Sequence, residues 1–389
     1  MKKIINILTA TRAEYGLLKP IIVKLNKISE FDIRIVVTGA HLSSEFGLTY
    51  QEIEKDGFII DEKIEILLSS DSTASISKSM GLAMISFADY FKKLAPDLLI
   101  VLGDRYETLA VVTTAMNQRI PIAHLYGGET TEGAIDESIR HAITKLSYLH
   151  FTSTEEYRKR VIQLGEHPDR VYNVGGIGIE NVLNEKLLTK KQLEDSLGID
   201  LSKPYGVVTF HPVTLENNSS EIQISSLLEV CKEYKDMNFI ITKANADAEG
   251  RIINQLIDQY EQKNENIYAF TSLGLTKYLS ALKYAKLVIG NSSSGLLEAP
   301  SFNIPTINIG DRQKGRLQGD SVINCEPNKD SIRSAIEVSF TEQFMNQAKE
   351  AVNPYGDENT SDKVVDIIKE YILNDKINLK KKFYDWKVD

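Results

Sequence analysis

Short runs of apolar, mostly β-branched residues alternate along the chain with longer amphipathic stretches, the pattern of repeated βα units closing into a parallel sheet. Lys3–Leu8 predicts a first strand, followed by a polar turn over Thr9–Gly16 and a helix from about Leu17. Asp32–Val37 predicts a second strand, ending in Thr38-Gly39. A helix near Met80–Lys93 leads to Asp97–Leu102, and one near Glu107–Met116 leads to Pro121–Leu125. Within these, Leu98–Leu102 is an unbroken apolar run and Ile122–Leu125 one interrupted only by His124, the pattern of strands buried on both faces. Another helix starts at Asp136, with Asp136 and Glu137 complementing the positive end of its dipole. Val171–Val174, followed by Gly175-Gly176, closes this half.

The second half repeats the logic. Gly206–Phe210, Phe239–Thr242, Ile267–Phe270, Leu287–Ile289 and Thr306–Ile309 predict short strands separated by helical segments. The polar, lysine-rich stretch Asn184–Pro204 predicts a crossing between two domains, and Ser361–Leu373 a last helix. A chain of 389 residues exceeds one ordinary core. The expectation is therefore an α/β protein with two Rossmann-like lobes, 1–180 and 181–360, and a helix and tail over 361–389 that pack back on the first.

Composition narrows the function. A hydrophobic content of 42% with 25% charged residues is ordinary for a soluble enzyme. The net charge of −9 argues against nucleic acid as a partner, because no basic stripe displaces counterions. A small anion needs only a few local donors and stays open. Cys231 and Cys325 are the only cysteines, which excludes a disulfide framework and fits a reduced cytoplasm. The six histidines show no metal spacing. The opening Met1-Lys2-Lys3-Ile4-Ile5 is interrupted by Asn6, Thr9 and Arg12 too early for a signal peptide, and no later run is long enough to cross a bilayer.

Charged residues follow the predicted strands. Asp104 and Arg105 come just after Leu98–Leu102, and Glu129 follows Ile122–Leu125. The carboxyl edge of a parallel sheet is where such proteins bind ligands. A carboxylate ending a buried strand must be paired or functional, and Gly127-Gly128 lets backbone approach a ligand beside Glu129. Asp136 and Arg140, at i and i+4, share a helix face and read equally as a helix-start ion pair or as part of a site.

In the second half, Gly290-Asn291-Ser292-Ser293-Ser294-Gly295-Leu296-Leu297-Glu298 leads from a strand into an apolar helical pattern. Free backbone N–H groups and hydroxyls at a helix start suit a phosphate, with Glu298 placed to accept from a ribose diol. An ordinary serine N-cap with a glycine turn is the competing reading. Arg12 and Glu14 fall in the loop after the first strand, where a guanidinium can meet a diphosphate bidentately or form a surface ion pair. His211, before Pro212, ends Gly206–Phe210 and suits phosphate donation or acid/base work, while His41, His124 and His141 are weaker candidates. Arg312, Lys314 and Arg316 make a local positive cluster after Thr306–Ile309.

Together these segments resemble the hydrolysing UDP-N-acetylglucosamine 2-epimerases of sialic and related nonulosonic acid biosynthesis. The stretches that carry the resemblance are Thr11-Arg12-Ala13-Glu14-Tyr15, Val37-Thr38-Gly39-Ala40-His41-Leu42, Gly103-Asp104-Arg105-Tyr106-Glu107, Gly127-Gly128-Glu129 and 135–145. His211-Pro212, the serine loop through Glu298 and 310–316 continue it, so it spans nearly the whole chain. The resemblance implies a GT-B-like pair of lobes with a deep interdomain cleft, the nucleotide held mainly by the C-terminal lobe and the sugar between lobes. It implies a catalytic set of Asp104, Glu129 and Asp136, to which Arg140 and His211 are added. It implies UDP contacts from Arg12, His211, Ser292, Ser293, Gly295, Glu298, Arg312 and Arg316. The implied reaction is elimination of UDP to a glycal and hydration to N-acetylmannosamine, in a homo-oligomer (dimer or tetramer) with no metal or redox cofactor and no membrane partner.

Chemistry asks for the same groups. Removing the C-2 proton needs a positioned base, and inversion needs a proton returned from the other face, so one carboxylate does not suffice. The same reaction on UDP-2,4-diacetamido-2,4,6-trideoxyglucose, a non-hydrolysing 2-epimerase, a GT-B glycosyltransferase and a nucleotide-sugar sensor without turnover are the alternatives.

Overall fold

The computed structural model describes residues 2–386 apart from Asp71, Gly133, Thr214, Leu215, Asn217, Asn218, Ala246, Asp247, Ala248, Asp357 and Glu358. The chain divides into two compact units, the second being Thr130–Ala134 with Val182–Gly356 and the first the remainder.

The first unit is built on seven strands: β1 (Lys3–Thr9), β2 (Phe31–Thr38), β3 (Ile60–Ile64), β4 (Leu98–Leu102), β5 (Ile122–Leu125), β6 (Leu149–Thr152) and β7 (Val171–Asn173). They run in the order β3-β2-β1-β4-β5-β6-β7, and every pairing is parallel. The unbroken apolar runs are explained by burial on both faces. In β4, Leu98, Ile100 and Leu102 join a core with the helix Arg12–Leu25 and the last helix, Thr360–Leu373. Leu99 and Val101, of opposite parity, join Phe87, Phe91, Val111 and Ala115 on the other face. The last helix is tied down by Glu180, whose carboxylate accepts from the backbone N of Ser361 at 2.6 Å and from its hydroxyl.

The second unit repeats the plan with β8 (Tyr205–Thr209), β9 (Asn238–Thr242), β10 (Ile267–Phe270), β11 (Leu287–Gly290), β12 (Thr306–Ile309) and β13 (Val322–Cys325). Their order is β10-β9-β8-β11-β12-β13, again all parallel. Val208, Phe239 and Ile241 face one core and Tyr205, Val207 and Ile240 the other.

Three expectations from sequence are corrected and a fourth gains detail. Thr9–Gly16 is not a loop: a helix begins at Arg12, because Thr11 caps it and Glu14 returns the bond, the reciprocal arrangement of a capping box. The helix placed near Met80–Lys93 starts at Thr73, capped by Ser72. The crossing between Asn184 and Pro204 contains the helix Lys190–Leu197. The apolar helix expected after the serine loop is only Ser294–Leu297, followed by a 3-10 turn over Ala299–Phe302, since Pro300 has no N–H to extend the ladder. Strands β3, β6 and β13 were not anticipated: β3 is mostly charged, and the short runs of β6 and β13 are interrupted by His150 and Asn324.

Candidate functional site

In each unit the strand order reverses beside the first strand, between β1 and β4 in one and between β8 and β11 in the other. The carboxyl ends of such strands leave a crevice where doubly wound sheets take ligands. The predicted residues fall at these two places.

In the first unit Arg140 organises the charged cluster. It sits in the helix Asp136–Leu146, and its side chain is 1% exposed. One terminal nitrogen, Nη2, pairs with Asp104 Oδ2. The other donates to the backbone oxygen of Glu129 at 2.9 Å and to Glu137 Oε2 at 3.1 Å. The guanidinium thereby ties the loops that end β4 and β5 to one helix, using the planar fork that only arginine supplies. The Asp104 side chain remains 21% exposed. Glu129 is buried, with Oε1 accepting from Ser153 Oγ at 2.8 Å. Asp136 lies in the first turn of the same helix, partly exposed.

The turn that presents Glu129 depends on glycine. Gly128 has φ of +80°, and a Cβ there would stand 2.4 Å from the carbonyl oxygen of Tyr157. Arg160 Nη1 donates to Gly128 O at 2.6 Å and fixes the turn.

Buried histidines and carboxylates hold this edge from behind. His124 Nε2 lies 2.7 Å from Gly103 O, and Nδ1 lies 3.2 Å from Thr144 Oγ1. Burial pushes its pKa down to about 3, so the ring is neutral, donating to Gly103 and accepting from Thr144. It is a strut between the Asp104 turn and the helix Asp136–Leu146. His41 is likewise neutral, its pKa driven to about 3 by burial, with Thr9 and Thr49 hydroxyls 2.9 Å from its two nitrogens. His141 bonds Glu137 Oε1 at 3.0 Å. Glu14 accepts from Ala10 N at 2.6 Å and Thr11 N at 3.3 Å. Burial lifts its pKa to about 7 against the pull of Arg105, whose Nη2 bonds Glu107 Oε1 at 3.2 Å. Gly39 is required here, since a Cβ would stand 3.1 Å from that same Glu107 oxygen. Arg12, in the helix turn after β1, is partly exposed.

In the second unit Asn291 is the organiser that sequence reasoning passed over. It is fully buried and clasps His211 in both directions: His211 N donates to Oδ1 at 2.7 Å, and Nδ2 donates to His211 O at 2.8 Å. Its own carbonyl accepts from Arg312 Nη1 at 3.1 Å and Gln313 Nε2 at 2.9 Å. The end of β8, the serine loop and the turn after β12 are thus locked together. Gly290 permits this, with φ of +139° and a would-be Cβ 1.9 Å from Thr209 O. The asparagine between glycine and serines was the available signal, as a side chain able to mimic a backbone pair.

Ser292 and Ser293 are partly exposed, and Ser293 makes no side-chain capping bond. The ordinary N-cap reading therefore does not account for Ser293. Ser294 Oγ lies 2.6 Å from Tyr278 Oη. Gly295 is buried, a Cβ there reaching to 2.9 Å from Thr306 Cγ2, and Glu298 caps the short helix, partly exposed. Arg316 does not join the serine loop through the bond it shows here: its Nε donates to Thr130 O at 3.1 Å. Glu132 N donates to Lys314 O at 3.3 Å alongside it, which is how Thr130–Ala134 comes to belong to the second unit. Among the described residues no His, Cys, Asp and Glu group has metal-site geometry, and no helix is long and apolar enough to cross a membrane.

Two doubly wound parallel sheets, one with carboxylates at its strand ends and the other with a glycine-serine loop beside histidine and arginine, define a two-unit α/β protein of the doubly wound class. The comparisons agree. The UDP-N-acetylglucosamine 2-epimerase family profile matches residues 23–369, and the chain belongs to that family. It is 48% identical over 328 residues to GDP/UDP-N,N'-diacetylbacillosamine 2-epimerase (hydrolyzing) of Campylobacter jejuni, covering 84% of this chain and 85% of the relative. It is 42% identical over 386 residues to the polysialic acid biosynthesis protein P7 of Escherichia coli, covering 99% and 98%. The fold matches that of UDP-GlcNAc 2-epimerase from Neisseria meningitidis bound to UDP-GlcNAc, with a TM-score of 0.78 at 19% identity, covering 95% of this chain and all of that one.

Proposed function

We propose that this protein is a hydrolysing UDP-sugar 2-epimerase whose substrate is UDP-2,4-diacetamido-2,4,6-trideoxyglucose, the UDP-activated form of N,N'-diacetylbacillosamine. The observation that carries the reaction class is the carboxylate set Asp104 and Glu129, whose turns at the carboxyl edge of β4 and β5 are tied to the buried Arg140, with Asp136 in the first turn of the same helix. The diacetamido sugar rests on the 48% identity to the Campylobacter jejuni enzyme, named for a GDP- or UDP-linked sugar, and UDP as the carrier on the 32% identity over 377 residues to the Legionella pneumophila enzyme, named for the UDP-linked sugar alone.

In this reading one carboxylate takes the C-2 proton while the C-1–oxygen bond to UDP breaks, leaving a C-1=C-2 glycal. Water then adds its hydroxyl to C-1, and a second carboxylate returns a proton to the opposite face of C-2. The net change is hydrolysis with inversion at C-2, releasing UDP and the free 2,4-diacetamido-2,4,6-trideoxymannose. Arg12, His211, Ser292, Ser293 and Arg312 stabilise the charge on departing UDP, Gly295 lets the loop close on it, and Glu298 accepts from the ribose hydroxyls. Arg316 contributes positive charge nearby.

A second reading, UDP-N-acetylglucosamine converted to N-acetylmannosamine, is favoured by the Escherichia coli relative, named for polysialic acid biosynthesis and 42% identical over nearly the whole chain. Parallel kcat/KM measurements on the two UDP-sugars, reading UDP release, decide between them. A larger value for the diacetamido sugar supports the first. Retained UDP-sugar epimer would mean a non-hydrolysing enzyme, release dependent on an added acceptor a glycosyltransferase, and binding without release a sensor. Asp104→Asn is expected to abolish turnover while UDP still binds; equal loss of both would make Asp104 structural.

A further inference from the structure

Tyr148 precedes β6 and Arg170 precedes β7, so both lie at the amino edge of the first sheet, opposite the edge that carries Asp104 and Glu129. Arg170 is only 9% exposed, yet its Nε and Nη2 are enclosed without any hydrogen-bond acceptor. Its guanidinium lies 4.9 Å from the centre of the Tyr148 ring, and Glu166 Oε2 stands 3.6 Å from Nη2, outside hydrogen-bonding reach. A buried guanidinium left in that condition is costly unless an acceptor arrives.

Glu166 does not meet the need, because it is already committed. Its carboxylate takes Lys145 Nζ at 2.6 Å, Lys381 Nζ at 2.9 and 3.0 Å, and His150 Nε2 at 3.2 Å. Three cations, Lys145, Arg170 and Lys381, therefore share one carboxylate, while Lys376 is paired with Glu370 at 2.5 Å, which leaves the locality a small positive surplus. Beside it opens a cavity of about 410 Å³ lined by Tyr148, His167, Asp169, Arg170, Tyr371 and Lys376. Asp169 is the one acid on that lining, and its side chain is 83% exposed, turned to solvent 3.6 Å from His167.

We propose that this amino-edge cavity is an anion site that binds a phosphomonoester, its oxyanion held by Arg170, His167 and Lys376. Charge-assisted bonds to phosphate oxygens are the use to which such a guanidinium is suited. The volume exceeds that of a bare phosphate and leaves room for an organic body against Tyr148 and Tyr371. The site is distinct from the strand-end clusters. Through Glu166 it touches Lys381, which also donates to Lys145 O and Ser147 O at 2.7 and 2.8 Å, at the end of the helix that begins with Asp136.

The test is calorimetric titration of inorganic phosphate into the full chain at constant ionic strength with saturating UDP present, and acetate as the comparison anion. The wild type is expected to bind phosphate saturably and acetate not at all. Arg170→Met is expected to weaken phosphate at least about tenfold, and Lys191→Met, on an exposed helix, to change nothing. No saturable phosphate binding, or equal binding by folded Arg170→Met, overturns the proposal. Should Arg170→Met fail to fold, the double variant His167→Gln/Lys376→Met at exposed positions takes its place: weakened phosphate binding supports the site and an unchanged affinity overturns it.

Discussion

Replacing Arg140 by methionine removes a side chain that reaches the turns after both β4 and β5. The interactions lost include the pair with Asp104, the bond to Glu129 O at 2.9 Å and the bond to Glu137 at 3.1 Å. Breaking a fully buried pair costs about 3–5 kcal/mol. Asp104, at 21% exposed, recovers part of that by hydration, and methionine fills most of the volume. The expected loss is therefore about 2–4 kcal/mol, read from urea unfolding. Catalysis should suffer separately. With Asp104 and the Glu129 turn no longer held to one helix, a displacement of the order of 1 Å is expected to lower kcat about 100-fold. UDP affinity should be unchanged, because all the proposed nucleotide groups but Arg12 lie in the second unit, and Arg12 takes no part in the bonds named above. Arg140→Lys, which keeps the charge but not the fork, should fall between. The assay is UDP release at saturating substrate, with UDP binding by calorimetry on the same preparations. If Arg140→Met loses stability but keeps kcat within about threefold of wild type, Arg140 is a structural ion pair and the positioning argument fails.

Asn291→Ala should unpair His211 N and O together, costing about 2–3 kcal/mol of stability and weakening UDP binding more than it lowers kcat in the saturated enzyme, checked by unfolding and calorimetry. Gly128→Ala forces a side chain at positive φ to within 2.4 Å of Tyr157 O, and should destabilise by about 2–4 kcal/mol with loss of turnover, checked by unfolding and UDP release. His41 and His124 have native pKa values pushed to about 3 by burial. The unfolded chain therefore takes up their protons as pH falls below about 6.5 while the native state does not, and each should cost about 2 kcal/mol of stability by pH 5. Urea unfolding from pH 7 to 5 measures it, and His124→Gln should flatten that slope.

The two sheets were legible because strands buried on both faces leave unbroken apolar runs. Leu98–Leu102 and Leu287–Ile289 are such runs, and the structure places them within a residue of their predicted bounds. Edge strands carry no such mark: β3, Ile-Asp-Glu-Lys-Ile, is half charged because its outer side meets solvent. The start of the first long helix was misread since Arg12 and Glu14 look like loop polar residues, and the capping box that buries Glu14 is a reciprocal bond that periodicity does not register. The site residues were named from position after a strand. What holds them was not, because Arg140 reaching Asp104 and Asn291 reaching His211 are contacts 36 and 80 residues apart in sequence. The fate of Arg316 is the converse case, a positive residue whose visible bond goes to Thr130 O rather than toward the serine loop.

Turnover of UDP-2,4-diacetamido-2,4,6-trideoxyglucose in deuterated water, followed by proton NMR of the products, tests the central claim most directly. The account predicts free UDP and a free sugar inverted at C-2 with deuterium at that carbon, since the proton that leaves one face is not the one returned to the other. Release of UDP with the original hydrogen retained at C-2 would contradict it.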